Sequence, residues 1–432
     1  MGSDRPDGTR AVLERLYDLA VARAHPRHCL PQHLPALAAG QRLIVIAAGK
    51  AAAAMAQAAE VRYADLPPDR FHGFVVTRHG SGLPLARLEL IEAGHPVPDA
   101  GSIEAARRAL ALAATAESRT VVLVLLSGGA SALLMAPVPT VSVDAKQTLT
   151  RQLLKCGARI GEINTVRKHI SRIKGGKLAA AVAATGAGLI TLAISDVPGD
   201  EPASIGSGPT VADPTTLAEA REVLARYGVT PPSEIAAALT DPANETLKPG
   251  APALAGQTFA LVAAPRASLE AAAEAARALG YRPVVLGDAL EGEARDTGHA
   301  HATLARDAKQ RGERIAILSG GELTVTVRGT GTGGPNQEYA LALAIALEGT
   351  PGITAIAADT DGIDGGGGNP DDPAGAVVLP DTLTKVAAQG LDAAKFLANN
   401  DSTGFFRASG GLLQRGGTQT NVNDFRCVLV DP

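Results

Sequence analysis

The stretch LIVIAAGKAAAAMA, residues 43–56, decides how the rest of the chain is read. Six apolar residues in succession lead into Gly49-Lys50 and then an alanine run with strong helix propensity. A strand that is apolar on successive positions is covered on both faces, which is the habit of parallel strands in layered α/β folds. Working outward, similar short apolar runs recur at 73–77, 88–92, 121–126, 189–194, 259–263, 283–286, 315–318, 354–358 and 425–430, with Ala-rich segments of helical spacing between them. Segment 322–328 (ELTVTVR) differs because it alternates, so it predicts a half-exposed strand at a sheet edge or lining a cleft, and with it a mixed sheet in the second half. The Pro- and Gly-bearing stretch 241–256 (DPANETLKPGAPALAG) is the expected linker, with a domain boundary near residue 250.

Composition narrows the function. With 432 residues, 46% hydrophobic and 19% charged, the chain can fill two or three cores. A formal net charge of −4 gives no field toward nucleic acid or anionic membrane, and 3% aromatics without Trp give no base-stacking platform. Cys29, Cys156 and Cys427 match neither a disulfide framework nor a zinc pattern, so reduced thiols in a cytoplasmic protein are expected. No apolar run reaches a membrane span, the polar start (MGSDRPDGTR) lacks a signal core, and Pro6 stands where a myristoylation signal needs Ser or Thr.

Five constellations carry chemistry. Gly49 permits a sharp turn at the end of the first strand and places Lys50 at the mouth of the sheet, where a cation can neutralise phosphate oxygens. Ser127-Gly128-Gly129-Ala130-Ser131 follows another apolar strand and reads as an anion cradle, helped by the start of the next helix. Segment 162–177 (EINTVRKHISRIKGGK) holds Arg167, Lys168, Arg172, Lys174 and Lys177, with Asn164, Arg167 and Lys168 on one helical face. Segment 194–209 (ISDVPGDEPASIGSGP) places Asp196 and Asp200 after a buried strand, a carboxylate pair suited to Mg²⁺, with Gly206-Ser207-Gly208 as a second cradle. In the second half, Arg328 ends the alternating strand, Asn336-Gln337-Glu338 follow a Gly-rich run, and Asp361 and Asp364, the second choice for the metal, precede four glycines. Each of these also has a plainer reading, as a solvated helix face or a tight turn.

Two other patterns lead elsewhere. Residues 329–334 (GTGTGG) match the dinucleotide pattern GxGxxG, but the strand before them alternates and Pro335 interrupts the helix entry. The histidines, His95 and His169 among them, have no metal-ligand spacing, no Walker loop is present, and neither Ser-Gly-Gly motif forms a GxSxG elbow.

Taken in order, AAGKAAAAMA (47–56), GHPVPDAGS (94–102), LLSGGASALL (125–134), EINTVRKHIS with IKGGKLA (162–179), ISDVPGD with IGSGPT (194–210), SGGELTVTVRG (319–329), GGPNQEYAL (333–341), DTDGIDG (359–365) and TNVND (420–424) resemble the glycerate 2-kinase family, the class II or MOFRL-type glycerate kinases. The resemblance spans nearly the whole chain. It implies an N-terminal Rossmann-like, three-layer α/β/α domain on a parallel sheet over 1–250 and a C-terminal MOFRL-type α/β domain with a mixed sheet over 251–432. It further implies transfer of the γ-phosphoryl of ATP to the 2-hydroxyl of D-glycerate, with Mg²⁺, in an interdomain cleft. Lys50 and Arg328 match the family's proposed catalytic cations. Gly49, Ser127, Gly128, Gly129, Ser131, Asn164, Arg167, Lys168, Gly206, Ser207, Gly208, Glu322, Asn336, Gln337, Glu338 and Asn421 are the expected substrate and nucleotide contacts. Members also carry the label hydroxypyruvate reductase, so an NAD(P)-dependent reductase is the alternative, and a non-catalytic phosphosugar-binding regulator is a third. Where members often have an Asn-bearing turn, this chain has Pro265-Arg266. The sequence leaves the oligomeric state open, a homodimer included.

Overall fold

The computed structural model describes residues 6–365, 369 and 371–432. The leading residues 1–5 and glycines 366–368, both used in the sequence reading, lie outside the described residues. The chain divides into two compact units, each with its own six-stranded sheet.

One unit comprises Leu30–Ser195 and Asp200–Val262. Its strands are β1 (Arg42–Ala48), β2 (Phe71–Arg78), β3 (Glu89–Ala93), β4 (Thr120–Leu126), β5 (Gly188–Ile194) and β6 (Thr258–Ala263), in the order β3-β2-β1-β4-β5-β6. The pairings of β1 with β2 and β4, of β2 with β3 and of β4 with β5 are parallel. Every residue of β4 is buried, which is why its sequence is apolar throughout. The chain runs outward from β1 through β2 to β3, then crosses to β4 and runs the other way. The order therefore reverses between β1 and β4, and the carboxyl ends of those strands meet at the topological switch point of a doubly wound sheet, the place where such folds bind ligands.

The other unit comprises Met1–Cys29, Asp196–Gly199 and Ala263–Pro432. Its strands are β7 (Arg282–Glu293), β8 (Ile315–Thr324), β9 (Ile353–Asp359), β10 (Gly375–Val378), β11 (Leu412–Leu413) and β12 (Asp424–Val430), in the order β11-β10-β9-β12-β8-β7. Among the described residues β7 and β8 pair in parallel and the other strand pairs of this sheet are antiparallel, so the sheet is mixed. Alternate residues of β12 point to opposite faces. Val428 and Val430 join a core with the helices Ala294–Gln310 and Pro335–Leu347. Phe425, Cys427 and Leu429 join a second core with Leu13, Leu16 and Tyr17 of the helix Pro6–Ala24 and with Leu269 and Ala272 of the helix Pro265–Ala278.

These units depart from a single cut at 250. The N-terminal helix belongs with the C-terminal strands, and β6 completes the parallel sheet. Segment 241–257 is not an open linker. Glu245 accepts from His169 Nε2 at 2.8 Å, Lys177 Nζ donates to the Asn244 carbonyl at 2.8 Å, and Leu247 exchanges backbone bonds with Asp213 and Gly175. The two strands expected at 315–318 and 322–328 are one strand that ends at Thr324, in the interior of the sheet and not at its edge, so Arg328 lies in the loop beyond it. β10 and β11 carry too short an apolar signal to have been foreseen.

Candidate active site

The switch point is built from backbone before any side chain is considered. Gly49 has φ +132°, and a Cβ there would lie 2.1 Å from Ser127 Oγ, so only glycine fits. Lys50 N donates to the Gly128 carbonyl at 2.8 Å, Ser127 N to the Ala48 carbonyl at 3.0 Å, and Ala51 N to Ser127 Oγ at 3.0 Å. The turns after β1 and β4 are thus stitched together. Ser127 is fully buried and its hydroxyl accepts within this stitch, which makes it a scaffold for the cradle in place of the ligand contact the sequence suggested. Lys50 is half-buried, and Gly129 (φ +85°) has the Lys50 stem and the His95 ring as its nearest neighbours. The helix after Gly129 has only four residues, Ala130–Leu133, so the dipole contribution expected there is slight; Ala52–Arg62, after Lys50, is the longer helix at this edge.

A second group of loops meets beside the first. Gly175 N donates to the Ser207 carbonyl at 3.1 Å and Gly176 N to the Gly208 carbonyl at 2.8 Å, which ties KGGK (174–177) to GSG (206–208). Gly206, Ser207 and Gly208 all have positive φ, between 57° and 63°. Ser131 Oγ lies 2.8 Å from Ser207 Oγ, and Lys174 Nζ donates to both Ser131 O (2.7 Å) and Ser131 Oγ (2.9 Å). Ser131, Gly206, Ser207 and Gly208 are therefore brought together, joined by Lys174, which the sequence reading counted among five basic residues without singling it out.

Positive charge is concentrated in this unit. Lys174 and Lys146 are almost fully buried, and among the described residues their hydrogen bonds run to neutral acceptors: Ser131, and the Ile170 carbonyl at 3.3 Å. Burial, then the neighbouring Arg167, pushes both ammonium groups down, Lys146 to about 7 and Lys174 well below the usual lysine range. Burial likewise lowers Arg167. Such an excess of buried positive charge favours a bound anion. Of the expected trio, Arg167 Nη1 reaches Asn164 Oδ1 at 3.3 Å, whereas Lys168 is buried on Asp213 Oδ1 at 3.2 Å. That pairing leaves Arg167 the better candidate for an incoming carboxylate. Lys146 and Asp213 gave no sequence signal, because each lies in a stretch that reads as ordinary helix or turn. His169 is fully buried between Thr165 O and Glu245, a structural role.

In the mixed-sheet unit several expected contacts are interior. Asn336, Gln337 and Glu338 are at most 2% exposed. Asn336 Nδ2 donates to Asp364 Oδ1 (3.1 Å) and Asp424 Oδ1 (2.6 Å), Gln337 Nε2 donates to Asp364, and Glu338 pairs with Arg295 and accepts from Asn400 at 2.9 Å. They anchor the start of the helix Pro335–Leu347 instead of facing a ligand. Asp364 takes N–H donors on both oxygens from Asn336 and Gln337, which a metal ligand would have to surrender, and burial pushes its carboxyl up to about 6. Asp361 is buried and accepts from Ile363 N at 2.9 Å. Asn421 donates to Asp196 Oδ2 at 2.8 Å, and Asn423 to the Asp196 carbonyl at 3.0 Å. Arg328 and Glu322 are exposed, and Asn400 accepts from Arg328 N at 2.7 Å.

Among the described residues no group of three or more His, Cys, Asp or Glu is placed to hold a metal ion. Asp200 nevertheless has a buried Oδ1 with no hydrogen-bond partner, on a residue at φ +56°, which fits a cation ligand. The Gly-rich run 329–334 is explained by packing: a Cβ on Gly329, Gly331 or Gly333 would fall within 2.0–2.3 Å of Asn399, Asp401 or Ser402. Pro265 opens the helix Pro265–Ala278 at its first turn, and Arg266 pairs with Glu270 at 2.8 Å. No helix is long and apolar enough to cross a membrane among the described residues.

Residues 12–240 match a domain of unknown function, DUF4147, and residues 315–424 match the MOFRL family. A protein of Agrobacterium vitis provisionally named a hydroxypyruvate reductase is 48% identical over 98% of this chain and 94% of its own length. A glycerate 2-kinase of Pyrococcus horikoshii is 41% identical over 90% of this chain and 87% of its own. The crystal structure of a glycerate kinase from Thermotoga maritima superposes with a TM-score of 0.87 at 36% identity, covering 98% of this chain and 100% of that one.

Proposed function

We propose, because the chain belongs to the glycerate 2-kinase family, that it transfers the γ-phosphoryl group of ATP to the 2-hydroxyl of D-glycerate, giving 2-phosphoglycerate and ADP. The observation that carries the reading is the switch point: Lys50 and the 127–131 turn stand at the carboxyl ends of β1 and β4, beside buried lysines in excess of their carboxylate partners. Phosphoryl transfer asks a protein for positioning and positive charge more than for covalent chemistry. Lys50 would stabilise charge on the transferring group, Arg328 would be a second cation for it, and Arg167 would bind the acceptor carboxylate. The backbone of 127–129 and 206–208 would cradle phosphate oxygens. Mg²⁺ would be held by Asp200, whose buried Oδ1 lacks a hydrogen-bond partner, and would neutralise nucleotide phosphate charge. Reduced thiols support a cytoplasmic setting.

The reductase name borne by one relative has a specific counter-argument. In a sheet of this strand order the dinucleotide fingerprint belongs in the first βα turn, which here reads AAGKAAAAM, and the GTGTGG run is consumed by packing on 399–402. Incubation with ATP, Mg²⁺ and D-glycerate, with the product resolved by phosphorus NMR, is expected to give 2-phosphoglycerate. NADH or NADPH turnover on hydroxypyruvate without a need for ATP would sink the proposal.

A further inference from the structure

Two groups converge on one hydroxyl. Ser131 Oγ accepts from Lys174 Nζ at 2.9 Å and lies 2.8 Å from Ser207 Oγ. Which serine donates follows from burial. Ser207 has no exposed surface, and among the described residues the Ser131 hydroxyl is the one hydrogen-bond partner of its side chain. Were Ser131 to donate to Ser207, the Ser207 proton would be buried without an acceptor, which is unfavourable. Ser207 therefore donates to Ser131. A serine oxygen has two acceptor sites and one proton. With Lys174 protonated, the form a bound anion favours, both acceptor sites of Ser131 are filled, by Lys174 and by Ser207, and only its proton is left. Ser131 is half-buried, so a ligand in the cradle can reach that proton.

We propose that the Ser131 hydroxyl is a dedicated hydrogen-bond donor to an anionic oxygen of the bound ligand, and that Lys174 is the positioning residue that holds it in that role. The inference rests on the kinase reading for the identity of the ligand, whose anionic oxygen is either the acceptor's carboxylate or a nucleotide phosphate. Lys174 also grips the Ser131 carbonyl at 2.7 Å, so the ammonium fixes the turn as well as the hydroxyl. The KGGK–GSG backbone bonds fix Ser207 against the same lysine. The neighbouring Arg167 adds positive charge that an anion would offset.

Calorimetric titration of the full chain with D-glycerate, and separately with ADP, tests this. Ser131→Ala is expected to melt like the parent and to lose roughly tenfold to a hundredfold in affinity for one of the two probes, the scale of one hydrogen bond to a charged group. Loss confined to D-glycerate assigns the carboxylate, and loss confined to ADP assigns the phosphate. Lys174→Met should weaken the same probe while leaving the melting temperature equal or higher, since an apolar replacement removes a buried charge. Added to Ser131→Ala, it should cost less than it costs the parent, because the part of its effect that runs through that hydroxyl is already lost and only its hold on the Ser131 carbonyl remains. Parent affinities for both probes in Ser131→Ala, or a parent that binds neither, overturn the proposal. Failure of the kinase reading is a separate result: a parent that binds a probe yet makes no phosphoglycerate.

Discussion

At the scale of single residues, Gly49 and Lys50 divide the work between them. Gly49 carries the geometry, because a Cβ would meet Ser127 Oγ at 2.1 Å on a backbone at φ +132°. Gly49→Ala is therefore expected to lose both stability, by a few kcal/mol on the scale of forced backbone strain, and activity. Lys50→Ala should lower kcat by ~10²-fold or more with an unchanged melting temperature, since a preorganised cation is worth about 3–4 kcal/mol in the transition state and a half-buried one seldom anchors a core. A kcat within a few-fold of the parent's would remove Lys50 from the mechanism. Arg328→Ala carries the same expectation, and Arg328→Lys only partial recovery, because the planar fork is lost. The pair Gly49-Lys50 was legible because a glycine at the end of a continuous apolar strand has few structural meanings. Lys174 and Lys146 were not, since a sequence does not distinguish a buried lysine from a solvated one. Asn336, Gln337 and Glu338 failed the other way: polar residues clustered at a helix start look like ligand contacts, and here their partners are Asp364, Asp424, Arg295 and Asn400.

At the scale of elements, one tripeptide serves two purposes. Ser127-Gly128-Gly129 ends β4 and turns the chain, whereas Ser319-Gly320-Gly321 lies within β8, where Arg426 donates to the Gly320 and Gly321 carbonyls at 3.0 and 3.1 Å. Local sequence is the same; the difference lies in which neighbour arrives, and that is tertiary information. Segment 241–257 makes the same point, since its Pro and Gly content reads as a linker while Glu245, Leu247 and Asn244 tie it down. It is therefore expected to resist limited proteolysis at neutral pH, and Glu245→Ala should make it the first site cut. Burial raises the Glu245 carboxyl, but hydrogen bonds from Lys248, Leu217 N, Thr246 N and His169 outweigh it and hold the group near 2. A carboxyl depressed in the fold contributes stability above its unfolded value near 4.5 and loses it as pH falls from there toward 2. Pepsin cleavage within 241–257 should accordingly rise across that window in the parent and change less in Glu245→Ala. A cut there at pH 7 ahead of all others would contradict the assignment.

At the scale of the whole molecule, the order of elements along the chain is a poor guide to which of them fold together. Ten of the strands were readable because continuous apolar runs leave little else they can be, and the α/β class followed from their alternation with helices. Which unit the first helix joins was not readable: its apolar face says that it packs, not on what. In the structure Leu13, Leu16 and Tyr17 lie buried against Leu269, Phe425 and Leu429, and Tyr17 Oη donates to the Asp359 carbonyl at 2.8 Å. Three large side chains at ~1.5–3 kcal/mol each amount to about 5–9 kcal/mol of burial, comparable with the ~5–15 kcal/mol that holds a typical domain. The fragment 263–432 alone should thus fail to unfold cooperatively, because one face of its sheet has lost that cover. The same fragment with residues 6–29 joined to it through a flexible linker should regain a cooperative melt, and Leu16→Asp in that fusion should abolish it again. A sharp, ligand-free transition in 263–432 without the helix would show the sheet to be self-sufficient. The boundary near 250 expected from composition would then describe a folding unit after all.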